Sequence, residues 1–178
     1  MAYTRIGNVW CSPELYLEAV EYAGKELAIG ASVFGPRELE FLLHTSPDFI
    51  KFSYGKKDQV AWIIEALDSR KEVMVSCDVM TEHLVPEGAK KLFCVSQYPV
   101  YQELSFDELF PRFDGFSDHT LGIRQTTKSV VMGAKIIEKH VKLNHHDVTC
   151  PDALFAVDFQ EMSFLVNHCR RIEKENDL

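Results

Sequence analysis

The sequence predicts a parallel α/β fold of about six strands, in a single domain over residues 1–178. Three observations predict it. Short runs rich in β-branched and aromatic residues recur along the chain, and each is followed by a segment of helical period. Several of those runs also end in hydroxyl, acidic or imidazole side chains, the groups that parallel α/β folds gather at the C-terminal edge of the sheet. Strands alternating with helices imply parallel pairing through right-handed crossovers, which lay each helix on a face of the sheet.

The first element is a helix, SPELYLEAVEYAGKE (12–26), with Ser12 as N-cap and Pro13 in the first turn. Strands are then expected at LAIGASVF (27–34), FIKFSY (49–54), EVMVSC (72–77), KLFCVSQ (91–97), FDGFSD (113–118) and AKIIEKHV (134–141). Helical patterns separate them: PRELEFLLHT, KDQVAWIIEALDSR, TEHLVPEGAK, SFDELFPR and LGIRQTTKSVVMGA. A last helix, DFQEMSFLVNHCRRIEKEN, opens on Asp158 with Glu161 three residues on, the outline of a capping box. The strand ends carry Ser53-Tyr54, Ser76-Cys77, Ser96-Gln97-Tyr98, Ser117-Asp118-His119 and Glu138-Lys139-His140.

Composition narrows the function. At 178 residues and 46% hydrophobic content, the chain can bury one substantial core. A net charge of −8 argues against a nucleic-acid binder, and the pairs Lys56-Lys57, Lys90-Lys91 and Arg170-Arg171 each sit beside acids as solvated faces. No apolar run is long enough to cross a membrane, and the N-terminus lacks the layout of a secretory signal, so a cytoplasmic location is expected. Five widely spaced cysteines without a C-x-x-C pair fit reduced thiols rather than disulfides or structural zinc.

The stretch FSDHTLGIRQTTKSVVMGAKIIEKHVKL (116–143) sets His119 at the end of one expected strand and His140 near the end of the next. If those strands are parallel neighbours, both imidazoles open on one mouth, beside Asp118, Glu138 and Asp152, and can hold a divalent cation through N and O ligands. The alternative is a pair of capped, hydrogen-bonded histidines, and spacing leaves both open. His145-His146, next to Asp147, is a rival pair that reads as a solvated loop, and His44, His83 and His168 read as helix-surface residues.

The segments FSDHTLGI, GAKIIEKHVKL and CPDALFAVDFQEMSFLV resemble the second half of the sialic acid synthase (N-acetylneuraminate synthase) family, with its SDHT-x-G, G-A-x-x-I-E-K-H-x-x-L and G-P-D motifs. Upstream, IGASVFGPRELEFL, DFIKFSYGK, VMVSCDVMT and LFCVSQYPV resemble further motifs of that family in the same order, from about residue 12 onward. The resemblance implies a TIM-type (β/α) barrel that condenses phosphoenolpyruvate with an N-acetylated hexosamine and releases phosphate, assisted by Mn²⁺ or another divalent cation. It implies His119 and His140 as metal ligands, with Glu138 supporting the metal site. It also implies Ser32, Lys51, Ser76, Ser96 and Ser117 as contacts to phosphoenolpyruvate, and Tyr98 and Asp152 as contacts to the sugar, with Glu138 and Asp152 the catalytic carboxylates. A lysine and several hydroxyls suit a phosphate and a carboxylate, and a metal suits the carbonyl under attack.

Such a barrel takes about 250 residues. The six strands match the family's third to eighth, so an incomplete barrel is expected, lacking the first two βα units and the C-terminal antifreeze-like domain. Its open edges call for self-association, a partner chain, or a strand added by AYTRIGNVW; self-association is favoured. Four positions depart from the family pattern: Tyr54 stands for Ser, Lys56 for an acid, Asp78 for Gly and Phe93 for His. Two functions follow: a condensing synthase, or a degenerate, catalytically inactive homologue with a binding, regulatory or structural role. A generic sugar-phosphate aldolase or isomerase ranks below both.

Overall fold

The computed structural model describes residues 4–6, 9–146, 148 and 151–176, as two compact units that divide in sequence between Lys91 and Leu92. The first opens on β1 (Thr4–Ile6) and β2 (Val9–Cys11), which pair antiparallel with each other. Among the described residues, the leading segment therefore forms its own ribbon and adds no strand to the parallel set. Helix α1 (Pro13–Ala23) starts where the Ser12 hydroxyl accepts the Leu15 N–H at 3.2 Å. It stops three residues short of the expected end, because Gly24 takes a φ of 57° that few side-chain-bearing residues adopt.

Two βα steps and a further strand follow. Strands β3 (Gly30–Val33), β4 (Phe49–Phe52) and β5 (Glu72–Cys77) are parallel neighbours, with α2 (Pro36–Thr45) and α3 (Val60–Asp68) as the crossovers. Each helix buries one face, Leu39 and Leu42 on α2 and Ile63 and Ala66 on α3, at the spacing of one helical turn. Ser32 pairs with Lys51, and Lys51 with Met74. Since side chains alternate faces along a strand, Ser32, Lys51 and Ser76 share one face. The expected helix over 81–90 is reduced to a single 3-10 turn, Glu82–Leu84, because Pro86 can neither donate a helical hydrogen bond nor clear the preceding turn.

The second unit takes in β6 (Lys90–Cys94) from Leu92 onward, then β7 (Gly115–Asp118) and β8 (Ile136–Lys139), again parallel neighbours, with α4 (Arg124–Val131) between the last two and α5 (Phe159–Asn176) after them. No helix forms over 105–112. Glu108 turns the chain with a φ of 61°, and Phe106 and Phe113 are drawn into an aromatic cluster with Phe93 and Phe116, the Phe106 and Phe116 rings 5.0 Å apart. Burial of those rings outweighs local helical preference. Helix α5 begins with the expected reciprocal cap: the Asp158 N–H donates to Glu161 at 2.9 Å and the Glu161 N–H to Asp158 at 2.8 Å. The class anticipated from the sequence, α/β with six parallel strands, is the one observed.

Candidate active site

Register builds the site of the second unit. Cys94, Ser117 and Glu138 occupy matching positions on β6, β7 and β8. Two residues further on, Ser96, His119 and His140 follow on the same side of the sheet, at the C-terminal ends of the strands. The first layer is tied by the Ser117 hydroxyl, which donates to Glu138 Oε2 at 2.5 Å. In the second layer, the His119 and His140 rings stand 5.4 Å apart, edge to face. Phe155, from the turn before α5, packs on both, 5.7 Å from His119 and 4.9 Å from His140. Tyr98 packs on His119 at 4.2 Å and on Phe155 at 5.9 Å.

Both histidines use Nδ1 on an oxygen acceptor. His119 Nδ1 lies 3.4 Å from the Val95 carbonyl, and His140 Nδ1 lies 3.1 Å from Asp152 Oδ2. With the proton on Nδ1, each Nε2 keeps its lone pair, the arrangement by which carboxylates and carbonyls orient metal-binding histidines. Burial pushes the His119 pKa down, joined by the neighbouring His140 and opposed by the Val95 carbonyl, Glu138 and Asp118, so the ring is neutral near pH 7. A ring on a metal at about 2.1 Å has its centroid roughly 3.2 Å from the ion, so two rings 5.4 Å apart can share one. That spacing allows two imidazoles to share one divalent cation. Burial likewise raises the Tyr98 pKa, with Cys94, Glu138 and Asp152 adding to it against a hydrogen bond from Ser96, so the phenol stays protonated beside those carboxylates.

Asp118 departs from the reading that placed it beside the histidines. It lies on the opposite face of β7, paired in register with Lys139 on β8. Their side chains, both 0% exposed, form an ion pair at 3.1 Å. The thiol of Cys94, 3.9 Å from His119 Nδ1, and the ring of Phe155 belong to the site and were not singled out in the sequence. Alternation along KLFC would have found Cys94; Phe155 follows Asp152 through an irregular turn that leaves no periodic signal. The rival rings of His145 and His146 are exposed and 5.9 Å apart, while Asp147 lies outside the described residues. His145 does come within 4.8 Å of Asp158 and Glu161. Those two carboxylates are engaged in capping α5, whose N-terminal dipole opposes a cation.

In the first unit, the buried Lys51 donates from Nζ to Ser76 Oγ at 2.7 Å and to the Phe52 carbonyl at 3.3 Å. Ser32 stands beside Lys51 in register. Just past the ends of β4 and β5, the Tyr54 hydroxyl donates to Asp78 Oδ2 at 2.6 Å. Asp78 Oδ1 accepts the Thr81 hydroxyl at 2.7 Å and the amides of Thr81 and Met80 at 2.9 and 3.0 Å. Burial alone would raise the Asp78 pKa, but these donors together hold it below the usual carboxylate range. Two departures from the expected pattern, Tyr54 and Asp78, thus satisfy each other, and the carboxylate is solvated by protein donors.

The NeuB family model matches residues 5–177 of the chain. Among curated proteins, the N,N'-diacetyllegionaminic acid synthase of Legionella pneumophila is 28% identical over 162 residues, covering 79% of this chain and 45% of that protein. The pseudaminic acid synthase of Campylobacter jejuni is 26% identical, covering 80% and 47%. The chain thus spans about half the length of the curated relatives it matches. Among solved structures, an N-acetylneuraminic acid (sialic acid) synthetase from Leptospira borgpetersenii, in complex with citrate, superposes with a TM-score of 0.79 at 23% identity, over 92% of this chain and 63% of that one. At that identity the likeness shows the fold, the incomplete (β/α) barrel expected from the sequence.

Proposed function

Because the chain belongs to the NeuB family, we propose that it condenses phosphoenolpyruvate and water with an N-acetylated hexosamine of the N-acetylmannosamine type: C3 of phosphoenolpyruvate bonds to the aldehyde carbon of the open-chain sugar, water adds at C2, and phosphate leaves to give the 2-keto acid. The observation that carries the reading is the paired histidines, each with Nδ1 on an oxygen acceptor and Nε2 left for a ligand. His119 and His140 would hold Mn²⁺ or another divalent cation, which when bound polarises the sugar carbonyl.

The chain's own residues supply binding and orientation. Lys51, with Ser76 on its ammonium and Ser32 beside it, presents a cation and hydroxyls suited to the phosphate and carboxylate of phosphoenolpyruvate. Ser96 and Ser117 offer hydroxyls at the strand ends of the second unit, and Ser117 fixes the Glu138 carboxylate. Glu138 and Asp152 are the carboxylates of the reading; Asp152 also holds His140 in its tautomer. Tyr98, 54% exposed and packed on His119, would contact the sugar in this reading. The same reading assigns cover of the open sheet edges to a second copy of the chain or a partner chain.

The Tyr54–Asp78 hydrogen bond favours a second reading, a homologue that retains the metal pair but no longer turns over, since it sets a carboxylate past the strand that carries Ser76. Incubation with phosphoenolpyruvate, Mn²⁺ and N-acetylmannosamine, following phosphate release against a His119→Ala control, tests both. Release above that control is expected of the synthase. Its absence, with Mn²⁺ binding intact in the wild type and lost in the variant, selects the second reading.

A further inference from the structure

The buried pair on the far face of β7 and β8 includes no residue assigned to ligand or metal, yet it joins the residues on both sides of His119, Asp118 through its side chain and Thr120 through its backbone. Lys139 Nζ donates to Asp118 Oδ2 at 3.1 Å and to the Thr120 carbonyl at 2.6 Å. Asp118 Oδ1 accepts the Thr120 N–H at 2.7 Å, and Asp118 Oδ2 accepts the Thr126 hydroxyl from α4. One ammonium therefore grips the residues before and after His119, and it is itself the residue before His140.

From this connectivity we infer that Lys139 and Asp118 are positioning residues for the histidine pair: together they fix the register of β7 against β8 and the backbone on which both imidazoles are mounted. The inference rests on the reading of His119 and His140 as metal ligands. Two fully enclosed charges are costly, and apolar residues of similar volume would serve packing as well or better. What apolar residues would not do is penalise a slip. A shift of one residue between these strands would set Asp118 against Glu138 or His140 in place of Lys139 and turn one histidine to the opposite face, and the ion pair opposes that shift. The Asp118 and Thr126 contact also ties the start of α4 to β7, the strand that His119 follows.

The test replaces the pair by apolar residues, Asp118→Leu with Lys139→Met, alongside the single variant Asp118→Asn, which keeps the shape and the acceptor for Thr120 while removing the charge. Two readouts apply to each: Mn²⁺ affinity by EPR titration, and the tautomers of both rings in the metal-free protein by ¹H–¹⁵N correlation. The double variant is expected to bind Mn²⁺ about 10- to 100-fold more weakly and to lose the uniform Nδ1–H tautomer of His119 and His140. Asp118→Asn is expected to show a smaller loss of the same kind, and it decides the matter should the double variant fail to fold. Wild-type affinity and wild-type tautomers in a folded variant would overturn the inference. If wild-type protein binds no Mn²⁺, the metal reading fails, and the tautomers alone decide whether the pair positions the rings.

Discussion

His140 Nδ1 and Asp152 Oδ2 are joined at 3.1 Å. The contact makes Asp152 an orienting partner of the histidine. Metal affinity lost on removing such a carboxylate is typically 10- to 100-fold. Asp152→Ala is therefore expected to weaken Mn²⁺ binding by about that factor while leaving the unfolding midpoint near wild type, as the residue is only half-buried. Titration calorimetry with Mn²⁺ measures it, and an unchanged dissociation constant would remove Asp152 from the metal site.

Gly115 opens β7 where the strand passes closest to β8. A Cβ there would run into the carbonyl carbon and oxygen of Ile136, which are backbone and cannot rotate aside. Gly115→Ala is expected to push the two strands apart at the end opposite the histidines and to cost about 1–3 kcal/mol of stability, the usual range for overpacking. Mn²⁺ binding should fall with it, because the same pairing aligns Ser117 with Glu138 and Asp118 with Lys139. Urea unfolding together with an Mn²⁺ titration checks both, and a variant that keeps both values would show that β7 and β8 are not coupled to the site.

The histidine pair was legible in the sequence because a single rule, parallel neighbours ending at one edge, fixes where residues 119 and 140 must go. The same rule, carried one step further, would have sent Asp118 and Lys139 to the far face, since alternation puts adjacent residues on opposite sides. Reading Asp118 as a mouth residue counted proximity in sequence and ignored the pleat. The segments at 81–90 and 105–112 were misjudged for different reasons. Pro86 ends helical bonding by its own chemistry and could have been weighed from the sequence. Residues 105–112 are governed by Phe93, Phe113 and Phe116, partners that only the folded chain brings to Phe106. The Tyr54–Asp78 bond was equally hidden: each residue was identified as a departure, but their complementarity depends on two strand ends 24 residues apart in sequence meeting in space.

That bond gives a pH dependence. The folded-state pKa of Asp78 is held below its ordinary value, with burial opposing and the Tyr54 and Thr81 donors prevailing. A depressed carboxylate contributes stability that is fully present above its unfolded pKa, about 3.9, and is lost as pH falls through the folded value. Tyr54→Phe removes one donor and is expected to cost about 1 kcal/mol at pH 7, with the difference from wild type shrinking as pH drops below the carboxylate range. Urea unfolding in steps from pH 7 to pH 3 measures this. A gap that stays constant across the range would mean that the lost stability comes from packing of the ring.

Lys51 and the histidines bear on different halves of the proposed chemistry, and substitutions can separate them. The Lys51 ammonium meets the Ser76 hydroxyl at 2.7 Å, so Ser76→Ala leaves the charge in place and removes one group that aims it, whereas Lys51→Met removes the charge and keeps most of the stem. Hydrogen bonds to charged groups contribute about 1.5–3 kcal/mol, which corresponds to roughly a 10- to 150-fold change in affinity. Lys51→Met is accordingly expected to weaken phosphoenolpyruvate binding by that amount and Ser76→Ala by less, with Mn²⁺ affinity unchanged in both. His119→Ala should show the converse, loss of Mn²⁺ with phosphoenolpyruvate binding retained, as its ring contacts lie with Tyr98, His140 and Phe155. Titrating each variant with each ligand separately checks the pattern. If Lys51→Met binds phosphoenolpyruvate as wild type does, the buried lysine serves the fold of the first unit, and the anion must be sought elsewhere on the chain.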